Sequence, residues 1–191
     1  NGRAASCTTT RVASGAAPFV PPLPGIQEAG VLTSDTLWGL REQPKRLVVL
    51  GGGPIGCELA QSFARLGSQV TQIEMLPRIM IREDEEVSAY ARKALEADGV
   101  TILTGHKALR CEKRDEAKSI VVENNGKESS IEFDVLLCAV GRSARLKGFG
   151  LEELGTTVNR TVQVNEYLET NFPNILAAGD VAGPYQFTHT A

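Results

Sequence analysis

Residues 46–74 limit what this chain can fold into more than any other stretch. Leu47-Val48-Val49-Leu50 is an unbroken apolar run, as expected of a strand buried on both faces of a sheet. It leads directly into Gly51-Gly52-Gly53-Pro54-Ile55-Gly56. Ile55, Leu59, Ser62, Phe63 and Leu66 then recur at helical spacing. Gly67 follows, a residue suited to the left-handed backbone that ends many helices. Gln69-Val70-Thr71-Gln72-Ile73-Glu74 reads as a second strand. Strand, helix and strand occupy about 30 residues, the length of one βαβ unit. The expected class is α/β, with a parallel sheet covered on both faces.

The spacing G-x-G-x-x-G is met by Gly51, Gly53 and Gly56. In such a turn the first glycine permits the tight exit from the strand. The second lets a pyrophosphate approach the backbone, and the third lets the helix pack close to the sheet. The helix N-terminus, with Pro54 and Ile55 in its first turn, offers unpaired amides and partial positive charge to that pyrophosphate. Pro54 is at home there, since its missing N–H would be unpaired anyway. Alone the glycine spacing is a weak signal. Here a buried strand, the glycines, a helix, a second strand and an acidic residue occur in the required order. Glu74 ends the second strand, where a carboxylate can accept hydrogen bonds from both hydroxyls of an adenosine ribose. It would repel the additional phosphate of NADP. The stretch therefore reads as a Rossmann-like NAD site. The competing reading is a glycine turn kept for packing, with Glu74 a solvated charge.

The rest of the chain fits around this unit. Residues 84–98 form a second helix, with Asp84, Glu85 and Glu86 at its dipole-positive end. Val87, Tyr90, Ala91, Ala94 and Leu95 are its expected apolar face. Residues 100–103 are a third strand. Residues 106–133 hold no helical period; strands at 118–123 and 130–133, joined by Asn124-Asn125-Gly126, predict an antiparallel meander in place of a crossover helix. Residues 135–140 return to a buried parallel strand. Residues 161–164 and 175–178 are short strand candidates. Residues 1–44 are irregular and proline-rich, with a short helix after a Ser34 or Asp35 cap.

Composition removes several classes of function. A net charge of −3 argues against nucleic acid as a main partner. No apolar run reaches the ~20 residues of a membrane span. Cys7, Cys57, Cys111 and Cys138 form no CxxC pair. Cys57 and Cys138 read as small buried hydrophobes, and reduced thiols suit a cytoplasmic protein. Residues 83–86 are a solvated helix start and no metal site is expected; His106 reads as a surface loop residue.

Four features together resemble the pyridine nucleotide–disulfide oxidoreductases of the dihydrolipoamide dehydrogenase and mercuric reductase type. They are Ala13-Ser14-Gly15 before the proline-rich stretch; the Gly51–Gly56 turn with Glu58 and Glu74; Val140-Gly141-Arg142 after a buried strand; and the segment 170–180, an apolar strand ending in Gly179-Asp180. The last is the most specific. The resemblance implies an NAD domain, residues 43–168, inserted into a split FAD domain represented by residues 1–42 and 169–191. It implies that Asp180, beside Gly179, bonds the ribityl chain of FAD, and that Ser14 and Gly15 belong to the same flavin site. Glu58 would reach toward the flavin, Gly141 and Arg142 would border the nicotinamide half, and Ala108 would approach the adenine. The implied activity passes hydride from NADH to FAD and on to a disulfide, a metal ion or another acceptor. The implied partners are the remainder of a parent flavoprotein and a second copy, as a homodimer.

The departures are equally specific. No N-terminal FAD fingerprint, Cys-x4-Cys pair or His–Glu pair occurs, so both ends read as cuts in a longer protein and the chain alone is expected to be inactive, with no catalytic residue assigned. Residues 8–12 look too short and polar for the strand that precedes Ala13 in the family. Ala144-Arg145 replaces the usual Pro-Asn, and Pro54 stands where some relatives carry a tyrosine. His189 suits a structural or flavin-adjacent place better than a catalytic one. Two alternatives remain open: a stand-alone NAD-binding redox sensor, and the NAD domain of a ferredoxin-reductase-like or NADH-oxidase-like flavoprotein.

Overall fold

The computed structural model describes residues 9–183; Cys7 and His189 lie outside them. The strands are β1 (Thr10–Val12), β2 (Ala16–Pro18), β3 (Leu32–Thr33), β4 (Arg46–Leu50), β5 (Gln69–Glu74), β6 (Thr101–Thr104), β7 (Lys107–Arg114), β8 (Ala117–Asn124), β9 (Lys127–Phe133), β10 (Val135–Cys138), β11 (Arg142–Ala144), β12 (Val158–Asn159), β13 (Thr161–Val162) and β14 (Ile175–Ala177). The helices are α1 (Pro54–Arg65), α2 (Glu85–Ala97) and the short α3 (Leu151–Leu154). The chain divides into two units, one of residues 18–141 and one built from its two ends.

The larger unit is a five-stranded parallel sheet in the order β3-β10-β4-β5-β6. Side chains alternate across a strand, and β4 shows what that achieves. Leu47 and Val49 enter a core shared with Cys57 and Ala60 of α1 and Leu95 of α2. Val48 and Leu50 enter a second core with Cys111, Ile120, Val122 and Phe133 of the meander. Helices therefore cover one face and the antiparallel β7-β8-β9 sheet the other. The mixed parallel and antiparallel α/β architecture agrees with the class expected from the sequence. Asn125 and Gly126, at φ 51° and 77°, form the β8–β9 turn as a type I′ hairpin requires.

Each helix turns a mixed face to the sheet: on α1 Leu59, Phe63 and Ala64 pack against the core, and on α2 Leu95 is buried. On α1 the buried residues are Gly56, Cys57 and Ala60. Their small size lets the helix sit close to the sheet, while Leu66 is 68 % exposed. On α2 the buried residues are Ser88 and Leu95, with Ala91 packed beside them. Val87 and Tyr90 face outward, Tyr90 at 81 % exposure, and Ala94 is exposed as well. Ser88 can face inward because its hydroxyl donates to the Ile79 carbonyl at 2.7 Å, which satisfies the buried polar group.

The two units divide the chain after residues 17 and 141. Residues 18–42 pack with the parallel sheet: β3 is its edge strand, and Ile26 and Ala29 are buried against the meander. The Cys111 amide donates to the Pro24 carbonyl at 2.8 Å. Gly25 (φ 75°) approaches so closely that a Cβ there would lie 2.1 Å from the Cys111 oxygen. The short helix in this segment is a 3-10 turn, Leu37–Gly39, whose cap position is Thr36 and not Ser34 or Asp35.

The smaller unit corrects the reading of residues 8–12. Thr10–Val12 is a strand, paired in parallel with Ile175–Ala177. Its main chain is satisfied by β14 and by bonds such as Thr10 N–H to the Asn174 carbonyl, 2.8 Å. Only Val12 is buried, so a polar sequence suffices. Val12, Leu151, Val162, Ile175, Ala177 and Val181 form the core of this unit. Residues 142–168 belong to it.

In the larger unit, Arg46 binds Asp134 through Nη2 at 2.8 Å and also pairs with Glu132. The guanidinium holds the Asp134 carboxyl below its usual range. A depressed carboxylate adds stability that is present at neutral pH and lost as the pH falls through that range. Asp134→Asn should therefore cost stability at neutral pH and nothing at acid pH, by urea unfolding at both. Ile120, 0 % exposed between sheet and meander, should cost about 2–5 kcal/mol when changed to Ala, read by the same method.

Candidate functional site

The turn between β4 and α1 is shaped by backbone contacts that leave no room for side chains. Gly51 has φ 106°, a region open to glycine, and a Cβ on it would stand 2.4 Å from the Ala139 carbonyl oxygen beyond β10. A Cβ on Gly56 would stand 2.2 Å from the Gly51 oxygen. These contacts press strand, turn and helix together. Gly53 is different: its φ is an ordinary −77°, and a Cβ there would meet nothing within 4 Å. It faces open space. Gly53 is also the N-cap of α1, Pro54 is the first helical residue, and no side chain among the described residues caps the helix. Its first amides are thus directed at the same space.

Glu74 closes the site from β5. One carboxylate oxygen accepts the Gly52 N–H at 2.6 Å and the other the Leu76 N–H at 2.8 Å. Gly52 fits under this carboxylate because it lacks a Cβ, which would lie 2.9 Å from Glu74 Oε2 and from Ile79. The Gly52 carbonyl accepts the Met80 N–H at 2.6 Å. Met80 takes φ 49° to do so, a strained conformation for a residue with a side chain. Arg78 secures the loop by donating to the carbonyls of Met80, Ile81 and Glu83 at 3.2, 3.2 and 2.8 Å. Beneath the turn, Gln72 Nε2 donates to the Gly51 carbonyl at 2.9 Å and lies 3.5 Å from Cys57 Sγ.

Gly51, Gly53, Pro54, Ile55, Gly56 and Glu74 are thus brought together. Gly141 follows Ala139 and Val140 at the end of β10, and its carbonyl accepts the Phe19 N–H at 2.9 Å. Glu58 is exposed on α1. Ala108 pairs with Val122 in the meander, next to a register shift, and packs against the core there. Sequence reasoning passed over Gly52, Gln72, Ile79 and Met80. Gly52 was visible as a third consecutive glycine; the other three carry no local signature, since what places them is the fold.

Ser14, Gly15, Arg142, Gly179 and Asp180 belong to the smaller unit. Ser14 Oγ donates to the Arg145 carbonyl at 2.8 Å, and Gly15, at φ 70°, accepts the Arg145 N–H through its own carbonyl. Arg142 reaches Asp180 at 3.4 Å and donates to the Ala16 carbonyl at 2.8 Å. Its neighbour in this unit is the carboxylate of the glycine–aspartate segment.

The thiols behave as packing groups. Cys57, Cys111 and Cys138 are free and buried. Burial raises all three pKa values, that of Cys111 to about 11, so none is a ready nucleophile. His106 is half-buried, its Nδ1 2.8 Å from the Thr104 carbonyl. No metal-binding cluster occurs among the described residues, and no helix among them is long and apolar enough to cross a membrane.

The family model for pyridine nucleotide-disulphide oxidoreductases matches residues 1–191. The chain belongs to that family. Among its oxidoreductase relatives, a dihydrolipoyl dehydrogenase of Acholeplasma laidlawii is 39% identical over 196 residues, which cover 100% of this chain and 56% of that protein. A mercuric reductase of Staphylococcus aureus is 37% identical over 193 residues, covering 100% of this chain and 35% of the reductase. The solved structure of the HOCl-induced flavoprotein disulfide reductase RclA from Escherichia coli superposes with a TM-score of 0.86 at 34% identity, over 95% of this chain and 42% of that one. The chain thus spans about half or less of the length of these family members.

The two glycines of the turn should respond differently to substitution. Gly53→Ala should leave the melting free energy within about 0.5 kcal/mol of wild type, since its Cβ meets open space. Gly56→Ala forces the helix away from the Gly51 carbonyl and should cost about 1–3 kcal/mol. Thermal unfolding of both variants tests the assignment of their roles.

Proposed function

We propose that residues 18–141 form the NAD(H) site of an FAD-dependent oxidoreductase, in which hydride passes from NADH to FAD and then to a disulfide, a metal ion or another acceptor. One observation carries the reading: the Glu74 carboxylate sits on the Gly52 amide while Gly53 opens onto unfilled space beside uncapped helix amides. The open space suits a pyrophosphate, and the carboxylate suits the vicinal hydroxyls of a ribose. Gly51, Gly53 and the first turn of α1 would hold the pyrophosphate, and Glu74 the ribose. Membership of the family supports a nicotinamide nucleotide and a flavin together, and favours this reading over a redox sensor without flavin. In the smaller unit Asp180 would take the flavin's ribityl hydroxyls, with Arg142 fixing its carboxylate. Gly141, at the end of β10, would border the nicotinamide. When bound, the flavin supplies two-electron redox chemistry; this chain's residues supply binding and orientation.

NAD is preferred to NADP in this reading. A ribose 2′-phosphate would meet the Glu74 carboxylate, and Arg78 is already committed to three loop carbonyls. Loss of charged hydrogen bonds alone predicts NADH binding at least about 10-fold tighter than NADPH. Calorimetric titration of both nucleotides into wild type and Glu74→Ala tests this, the substitution being expected to shrink the ratio. Equal affinities in wild type, or a ratio unmoved by Glu74→Ala, would remove Glu74 from the ribose site.

A further inference from the structure

We propose that Gln72 is a positioning residue for the nucleotide site, gripping one edge of the Gly51–Gly52 peptide group while Glu74 grips the other. The inference rests on the dinucleotide reading above and adds a residue to it. Gln72 lies in β5, paired on either side with Val49 and Ile102, and is 0 % exposed. An apolar residue would fill such a place without difficulty. Instead a carboxamide stands there, with its Oε1 buried and unpartnered, an arrangement that costs stability. What the residue contributes is its Nε2–H bond to the Gly51 carbonyl, 2.9 Å.

That carbonyl and the Gly52 N–H belong to the same peptide. In a trans peptide the two point in opposite directions. The N–H meets Glu74 at 2.6 Å. Gln72 and Glu74, two residues apart and so on one face of β5, hold the plane from both ends. The flanking residues are glycines, and rotation of the plane between them is the motion that side chains would otherwise hinder. A rotated plane would turn the carbonyl oxygen toward the Glu74 carboxylate and remove the amide that orients it. The next peptide is set in turn, since the Gly52 carbonyl is bonded to Met80 and the Gly53 N–H must point the other way. Fixing the first plane therefore fixes the donors facing the pyrophosphate before a ligand arrives, which is preorganisation.

Two variants test the clamp. Gln72→Met keeps the length and loses the donor. It should weaken NADH binding about 10-fold at every pH, relative to wild type, with an unchanged far-ultraviolet circular dichroism spectrum. Gln72→Glu places a buried carboxyl under the Gly51 oxygen. Protonated, it can donate; ionised, it repels, so its deficit should be small at acid pH and grow toward pH ~8. Among the described residues, Cys57 on α1 and Glu74 on its own strand are ionisable groups near position 72; the ratio to wild type at each pH removes the titration common to both proteins, and what remains is that of the new carboxyl coupled to these two. In parallel, the Gly52 amide proton resonance should move upfield in Gln72→Met as its bond to Glu74 loosens. Wild-type affinity and an unmoved Gly52 resonance in Gln72→Met would overturn the clamp, as would a pH-independent deficit in Gln72→Glu. Should wild type bind no NADH, the proposed nucleotide site falls separately. The Gly52 resonance then decides: moved, the clamp stands; unmoved, it falls.

Discussion

Two-sided burial of β4 is the constraint on which the larger unit depends. Leu47 and Val49 commit one face to the helices, and Val48 and Leu50 commit the other to the meander. A one-residue slip would exchange the two sets and disturb both cores at once. The parallel register with β5 and β10 is therefore fixed. Register decides where β4 ends, and hence where Gly51 meets Ala139 and where Glu74 arrives beside Gly52. The site is the place at which correctly registered strands run out.

Much of this could be read from the sequence, for physical reasons. The run 46–50, the glycine spacing and the strand 69–74 are local signals, and each element appears where its pattern predicts. The Asn125-Gly126 turn was equally legible, because few residues accept two successive positive φ angles. What escaped was held by partners remote in sequence. β7 was missed because its outer surface is charged, Arg110 pairing with Glu112 and Glu128, which dilutes any apolar alternation. β1 was missed because β14 satisfies its backbone and one side chain is buried. On α1, Leu59 and Phe63 pack against the core as their spacing predicts, while the most buried positions are the small Gly56, Cys57 and Ala60, which carry little hydrophobic signal.

The site divides the same way. The glycines and Glu74 announce themselves by spacing. Gln72 reads as an ordinary strand residue until β5 is set beside β4, and Met80 reads as loop until its amide is found on Gly52. Arg142 reaches Asp180 within the smaller unit, a contact that its adjacency to Gly141 in sequence did not reveal, because the division between units falls between the two residues.

The loop held by Arg78 has an evolutionary consequence. Its guanidinium closes the loop, the closed loop presents Met80, and Met80 holds the Gly52 carbonyl of the turn. A lineage drifting toward a phosphorylated cofactor could not simply recruit Arg78 as the new anion ligand. Withdrawing it would open the loop and loosen the turn of the proposed site. The switch would require a second cation elsewhere, or a rebuilt loop, before the acidic residue could be given up. On the proposed reading, Glu74, Arg78 and Met80 would have to change together, because each holds a part of the loop and turn that another depends on.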